Sequence, residues 1–203
     1  MSRRPRLTAP LMIFAMMCLF VSAAHAADKA APDFSLTSSD GKVVKLSDYK
    51  GKTIVLEWLN HGCPFVKKHY TSGNMQAIQK AYTAKGVIWL SIISSAPGKQ
   101  GHSTPEIANA DRKRVGSAAT AILIDENGAV GKLYEAKTTP NMLVISGPDQ
   151  QIQYSGAIDD NPSFDPAVIP ASKNLVKAAL DSVLAGQTVA VPTTASYGCS
   201  VKY

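Results

Sequence analysis

Two runs with no polar alternation, TIVLEWL at 53–59 and VIWLSII at 87–93, constrain this chain more than any other feature. A strand that is apolar on both faces must be covered on both sides, which is the situation of a central parallel strand. Between the two runs, residues 64–85 place Met75, Ile78 and Tyr82 on one helical stripe, and Gly86 stops it. The spacing therefore predicts strand, helix 64–85, strand: a βαβ unit.

The rest of the chain extends that unit. Residues 27–52 hold two short strand-like runs around Asp40-Gly41, a hairpin signal. A polar loop, 94–103, leads into a helix with Pro105 in its first turn. A third strand is expected over 120–125, with Glu126–Gly128 as its turn. Residues 141–146 and 152–158 read as a hairpin supplying antiparallel edge strands. Over 173–186 the stripe Leu175, Val176, Ala179, Leu180, Val183, Leu184 predicts an amphipathic helix with that face buried. Residues 187–203 are a tail. The expected class is α/β: one domain over 27–203, a central mixed sheet flanked by helices, with an N-terminal β-hairpin extension and a C-terminal tail.

Residues 1–26 stand apart. Arg3, Arg4 and Arg6 precede an apolar stretch over 11–21, and Ala24 and Ala26 frame a cleavage site, the pattern of a signal peptide. The stretch is short for a membrane span. Met17, directly before Cys18, is not the small residue expected ahead of a lipidated cysteine. The mature chain is expected to start near Ala27, exported, periplasmic or secreted, and not an integral membrane protein. The net charge of +6 becomes +3 without the three arginines, and no basic patch with interleaved aromatics marks a nucleic-acid partner. Of the three cysteines, Cys63 and Cys199 remain. In an oxidising compartment they form either one structural bridge or one redox couple.

Cys63 follows the strand 53–59, and sites in open α/β sheets lie beyond the carboxyl ends of strands. Pro64 suits the first turn of a helix, which makes Cys63 the N-cap. The free backbone N–H groups there stabilise a thiolate, and Lys67 and Lys68 add positive charge nearby. Glu57 is a carboxylate in a strand buried on both faces; burial raises its pKa and suits it to pass a proton to or from a sulfur. Thr139-Pro140, just ahead of a hydrophobic strand, marks a bend with a candidate cis bond. His61, Cys63, His69 and Cys199 could supply N/S ligands, but His69 sits at no established spacing and helix histidines are commonly solvated, so no metal and no cofactor is expected. His102 in the polar loop has no evident partner.

These features together resemble a family. APDFSL, SDYKGK before the first core strand, CPFVKKHY, GNMQ, SSAPGKQG, TTP and the closing YGCSVKY are similar to the thioredoxin superfamily, and within it to the AhpC/TSA-type redoxins and a peroxiredoxin-like subgroup. The resemblance runs over about residues 30–203 and implies a thioredoxin-like fold. It implies that Glu57 stands where thioredoxin keeps a buried acid and that Pro140 is the cis proline, leaving the preceding backbone free to pair with an extended substrate. It also exposes departures. The second cysteine of a Cys-x-x-Cys motif is replaced by Val66. Where peroxiredoxins carry proline and threonine ahead of the reactive cysteine, this chain has Leu56 and Asn60.

The expected activity is that of a thiol–disulfide oxidoreductase. Cys63 attacks a protein or small-molecule disulfide, with a peroxide as the less favoured substrate. Cys199 resolves the product or simply clamps the tail, and an unknown thiol supplies reducing equivalents. A thiol peroxidase, or a non-catalytic binding module using loop 94–103 and the tail, is the alternative.

Overall fold

In the computed structural model, which describes residues 29–203, the two apolar runs are neighbouring strands at the centre of one sheet. In chain order the elements are β1 (Lys29–Ala30), β2 (Ser35–Ser38), β3 (Val43–Lys45), β4 (Ile54–Trp58), α1 (Pro64–Thr71), α2 (Asn74–Thr83), β5 (Ile88–Ile93), α3 (Pro105–Val115), β6 (Ala121–Ile124), α4 (Ala129–Leu133), β7 (Thr138–Thr139), β8 (Asn141–Ile145), β9 (Gln151–Gly156), α5 (Leu175–Leu184) and β10 (Cys199–Ser200). Short 3₁₀ turns cover Leu46–Tyr49 and Pro166–Ala171. The expected signal peptide, 1–26, lies outside the described residues.

The main sheet has the order β1-β9-β8-β4-β5-β6-β2-β3. β4, β5 and β6 run parallel; the pairs β4/β8, β8/β9, β1/β9, β2/β3 and β2/β6 are antiparallel. This is the thioredoxin-like mixed sheet, with the hairpin around Asp40-Gly41 as its N-terminal extension. Both faces of β4 and β5 are covered. Val55, Trp89 and Ile122 pack with Val66 and Tyr70 of α1, Met75 and Tyr82 of α2 and Val176 and Leu180 of α5. Ile54, Leu56, Trp58, Leu90 and Leu123 face the other way, against Phe34, Val130 and Tyr134. At about 25 cal/mol per Å² of buried apolar surface, these two layers are the main stabilising term.

Four details differ from expectation. The helix expected over 64–85 is two helices, broken at Ser72-Gly73, where Gly73 has φ 75°, a left-handed conformation that suits glycine. The hairpin β8/β9 is not at the edge: β8 pairs with β4, and β1 covers the outer side of β9. Residues 129–133 form an unforeseen helix, α4. Its first turn is held by the Asp125 carboxylate, which accepts the N–H groups of Val130 at 3.2 Å and Gly131 at 2.8 Å. Leu184 is 41 % exposed, so the buried stripe of α5 ends at Val183. Among the described residues, no helix is long and apolar enough to cross a membrane.

Candidate active site

The turn after β4 is built on a buried amide. Asn60 accepts the Gly62 N–H at 2.8 Å, its carbonyl accepts the Cys63 N–H at 3.0 Å, and its Nδ2 donates to Gln100 Oε1 at 3.1 Å. Loop 94–103 thus closes over the turn, and Gly101, at φ 92°, lets the loop backbone come against the Asn60 side chain. The turn delivers Cys63 to the N-cap of α1, with Pro64 at the first helical position, as the sequence indicates.

Cys63 is wholly buried. Its thiol donates to the Thr139 carbonyl at 3.1 Å, and its Sγ accepts the backbone N–H of Cys199 at 3.4 Å. Both contacts come from one feature, a two-stranded ladder in which β10 pairs antiparallel with β7 and Cys199 lies opposite Thr139. The Thr139-Pro140 peptide is cis. Gly198, at φ 134°, permits the close approach: any side chain there would overlap the Thr139 carbonyl. The backbone ahead of Pro140 is therefore paired with the chain's own tail. The two cysteines are free thiols in contact, not a disulfide.

The two thiols are tuned apart. Burial pushes Cys63 up, but hydrogen bonds from the Cys199 thiol, the Val66 and Cys199 N–H groups and the Thr139 hydroxyl outweigh it, and its pKa lies below the ordinary value of 9.0. Burial, and then the hydrogen bond and charge of Cys63, push Cys199 up to about 11. Of the two, Cys63 is the easier to deprotonate and Cys199 the one that holds its proton more tightly.

Glu57 lies under this loop with four donors around its carboxylate. Tyr70 Oη donates to Oε1 at 2.9 Å; Trp89 Nε1, Ser91 Oγ and Gln79 Nε2 donate to Oε2 at 2.7, 2.8 and 3.3 Å. Burial raises its pKa against the pull of these bonds. None of them goes to Cys63. The structure brings Cys63, Cys199, Thr139, Pro140 and Pro64 together and leaves Glu57 in the core beneath them.

Lys68 and His69 differ most from their sequence reading. Neither is solvated: both side chains are buried, as is Asp159. Lys68 Nζ donates to Asp159 Oδ2 at 2.9 Å and to the Asn161 carbonyl at 2.9 Å, so its charge is spent on Asp159 rather than offered to Cys63. Tyr197 of the tail donates to the other Asp159 oxygen. His69 Nε2 lies 3.8 Å from Asp159 Oδ2, and its Nδ1 is bonded to Asn74 at 2.8 Å. Burial, with the Lys68 charge, pushes His69 down to about 4 despite Asp159. His61 lies edge-on to Tyr70, and His102 is 3.7 Å from Glu126. Asp159 and Tyr197 are site residues that sequence reasoning missed, while Lys68 and Asn60 were named there only as a nearby charge and as a departure from the peroxiredoxin pattern; the one available signal was two adjacent polar residues, Lys68 and His69, on the stripe of a short helix. A cavity of 530 Å³ opens beside the tail, lined by Tyr134, Thr138, Asn141 and Thr194, and Cys63 is not in its wall.

Comparison with known proteins agrees with this geometry. Residues 27–155 match the model of the AhpC/TSA family. No curated protein matches the chain by sequence. Among solved structures, an uncharacterized conserved protein from Geobacillus kaustophilus is 30% identical, with a TM-score of 0.76 over 87% of this chain and 92% of that one. A hypothetical protein from Sinorhizobium meliloti is 23% identical, with a TM-score of 0.74 over 89% of this chain and 96% of that one. A proposed thiol:disulfide interchange protein DsbE from Chlorobium tepidum shares the fold at 23% identity and a TM-score of 0.51, over 76% and 97% of the two chains. The sheet order, the cysteine at a helix N-terminus opposite a cis proline and the family match have one reading: the chain belongs to the AhpC/TSA family of thioredoxin-fold redoxins.

Proposed function

We propose that this protein is an exported thiol–disulfide oxidoreductase whose two redox sulfurs are Cys63 and Cys199. The observation that carries the reading is the Cys199 backbone N–H donating to the Cys63 sulfur at 3.4 Å, which holds the two cysteines side by side, with their pKa values driven in opposite directions. The Cys63 thiolate attacks a substrate disulfide; one substrate sulfur bonds to Cys63 and the other leaves as a thiolate. Cys199 then gives up its proton and attacks the Cys63 sulfur, forming Cys63–Cys199 and expelling the second substrate thiolate. An external dithiol, or two external thiols in succession, reduces that bond through a mixed disulfide, returns both sulfurs to the starting state and leaves as a disulfide. The substrate has been reduced by two electrons, and the external thiols oxidised by two.

Export rests on the signal-like residues 1–26, with cleavage near Ala26-Ala27. Leu56 and Asn60, in place of the peroxiredoxin proline and threonine, weigh against peroxide as the main substrate. The test is mass mapping of the non-reduced protein after one equivalent of a disulfide oxidant. An intramolecular Cys63–Cys199 bond is expected. With Cys199→Ser, Cys63 should accumulate as a mixed disulfide with the oxidant. Two unreacted thiols, or dimers linked Cys63 to Cys63, would refute the pairing.

A further inference from the structure

The tail that brings Cys199 to the site is held in two distinct ways. Its first part is fixed to the sheet. Thr194 fits against Gly156, which has no room for a side chain, and its Oγ1 accepts the Ala157 N–H at 3.0 Å and bonds Tyr154 Oη at 2.8 Å. Pro192 and Thr194 also exchange backbone bonds with Ser155. Ala195 and Ser196 follow with no hydrogen bond that ties them down. The second part, 197–203, lies across the mouth of the site. It carries the Tyr197–Asp159 bond, the β10/β7 ladder, bonds from the Val201 N–H to the Lys137 carbonyl and from the Ala96 N–H to the Lys202 carbonyl, and finally Tyr203. The Tyr203 ring lies in a slot made by two glycines: a side chain at Gly131 would come within 2.6 Å of it, and one at Gly128 would overlap it. Its hydroxyl donates to the Ala136 carbonyl at 2.6 Å. No residue from 190 to 203 is buried, yet Cys63 beneath them is wholly so.

We propose that residues 197–203 are a flap hinged at Ala195-Ser196 and latched by Tyr203, which controls both access to Cys63 and the moment at which Cys199 resolves it. While closed, the flap occupies the strand position beside Thr138-Thr139 and keeps any bulky disulfide from Cys63. When open, it carries Cys199 away, so a Cys63–substrate bond persists until the flap returns. Closure and resolution are then one event, and a Cys63–Cys199 disulfide locks the flap shut until an external thiol reduces it. The access half of the proposal is independent of the proposed activity; the timing half rests on it. The geometry allows the motion because no flap residue is fully buried and its closed state depends on a few hydrogen bonds, the Tyr203 slot and partly buried contacts such as Tyr197 edge-on to Phe65, which is the low-stability end of a fold.

The test separates the two readings. In a Cys199→Ser background, alkylation of Cys63 by iodoacetamide reports access, with no turnover needed. Tyr203→Ala is expected to accelerate it about tenfold, the factor that corresponds to losing one hydrogen bond and its ring contact, with Tyr203→Phe in between. Hydrogen exchange of the unmodified protein needs no variant: amides of 197–203 should exchange faster than those of 192–194 in the dithiol form, and slow on oxidation. Alkylation indifferent to Tyr203, or 197–203 exchanging only with global unfolding, would show a fixed wall and overturn the flap. Faster alkylation in a protein without disulfide-exchange activity keeps the flap and rejects the oxidoreductase. Exchange activity that ignores Tyr203 does the reverse.

Discussion

The backbone N–H of Cys199 points at the Sγ of Cys63 from 3.4 Å, across 136 residues of sequence. The contact makes two chemically identical side chains unequal. Cys63 gains donors and sits at a helix N-terminus, which favours its anion; Cys199 is held beside that anion, which favours its proton. An attacking thiolate and a protonated second thiol are what a two-step exchange needs.

That inequality predicts a titration. In the full chain, ultraviolet thiolate absorbance should rise first below the ordinary thiol value of 9.0 and again near 11. Cys199→Ala removes a donor from the Cys63 sulfur and should move the first midpoint upward, and Cys199→Ser, which retains a hydroxyl donor, should move it less. A midpoint unaffected by either substitution would mean that Cys199 does not tune Cys63.

Glu57→Gln is close in size, but it replaces a carboxylate that accepts from four buried donors. The new amide presents its own N–H groups to Trp89 or Tyr70 and leaves at least one buried donor unpaired. Stability should fall by about 2–3 kcal/mol, read from urea midpoints at unchanged m. A higher midpoint would show that the buried charge is a net burden.

Asp159 joins the tail to the cysteine helix through Tyr197 and Lys68. Asp159→Asn leaves the Lys68 ammonium, 1 % exposed, without its counter-ion. A loss of about 3–5 kcal/mol is expected. Lys68→Met in the same chain should restore much of it, since the uncompensated charge goes with the lysine. Failure of that rescue would place the cost elsewhere.

His69 sets an acid limit. Its folded pKa, pushed down to about 4 by burial and then by Lys68, lies below the ordinary histidine value of 6.5. The unfolded chain therefore binds the extra proton first, and the contribution is complete above pH 6.5 and drains away as pH falls toward 4. The loss across that window is about 3 kcal/mol at most. His69→Gln should flatten the stability profile there relative to the parent; parallel profiles would remove His69 from the account.

Much of the fold was legible in local pattern. Two-faced apolar runs named β4 and β5, a 3.6-residue stripe named α5, and Asp40-Gly41 named the hairpin, because periodicity and turn chemistry act within a few residues. The same holds for Cys63, whose place after a core strand and before Pro64 makes it an N-cap wherever the rest of the chain goes. The break at Gly73 was missed because the apolar stripe continues through α2, and only the left-handed glycine interrupts it.

What the tertiary structure alone decided is the company each polar group keeps. Lys68 and His69 are buried because Asp159, 91 residues from Lys68, meets them, and nothing periodic in a sequence announces such a partner. Cys199 sits in a polar tail with no apolar stripe, so local pattern left clamp and redox partner equally open. Its position depends on a ladder with Thr139, on Gly198 passing the Thr139 carbonyl, and on Tyr203 finding the Gly128 and Gly131 slot. Hydrophobic burial is additive and shows in composition and spacing; the pairing of buried polar groups is specific and long-range, and is settled only when the strands and the tail have closed on one another.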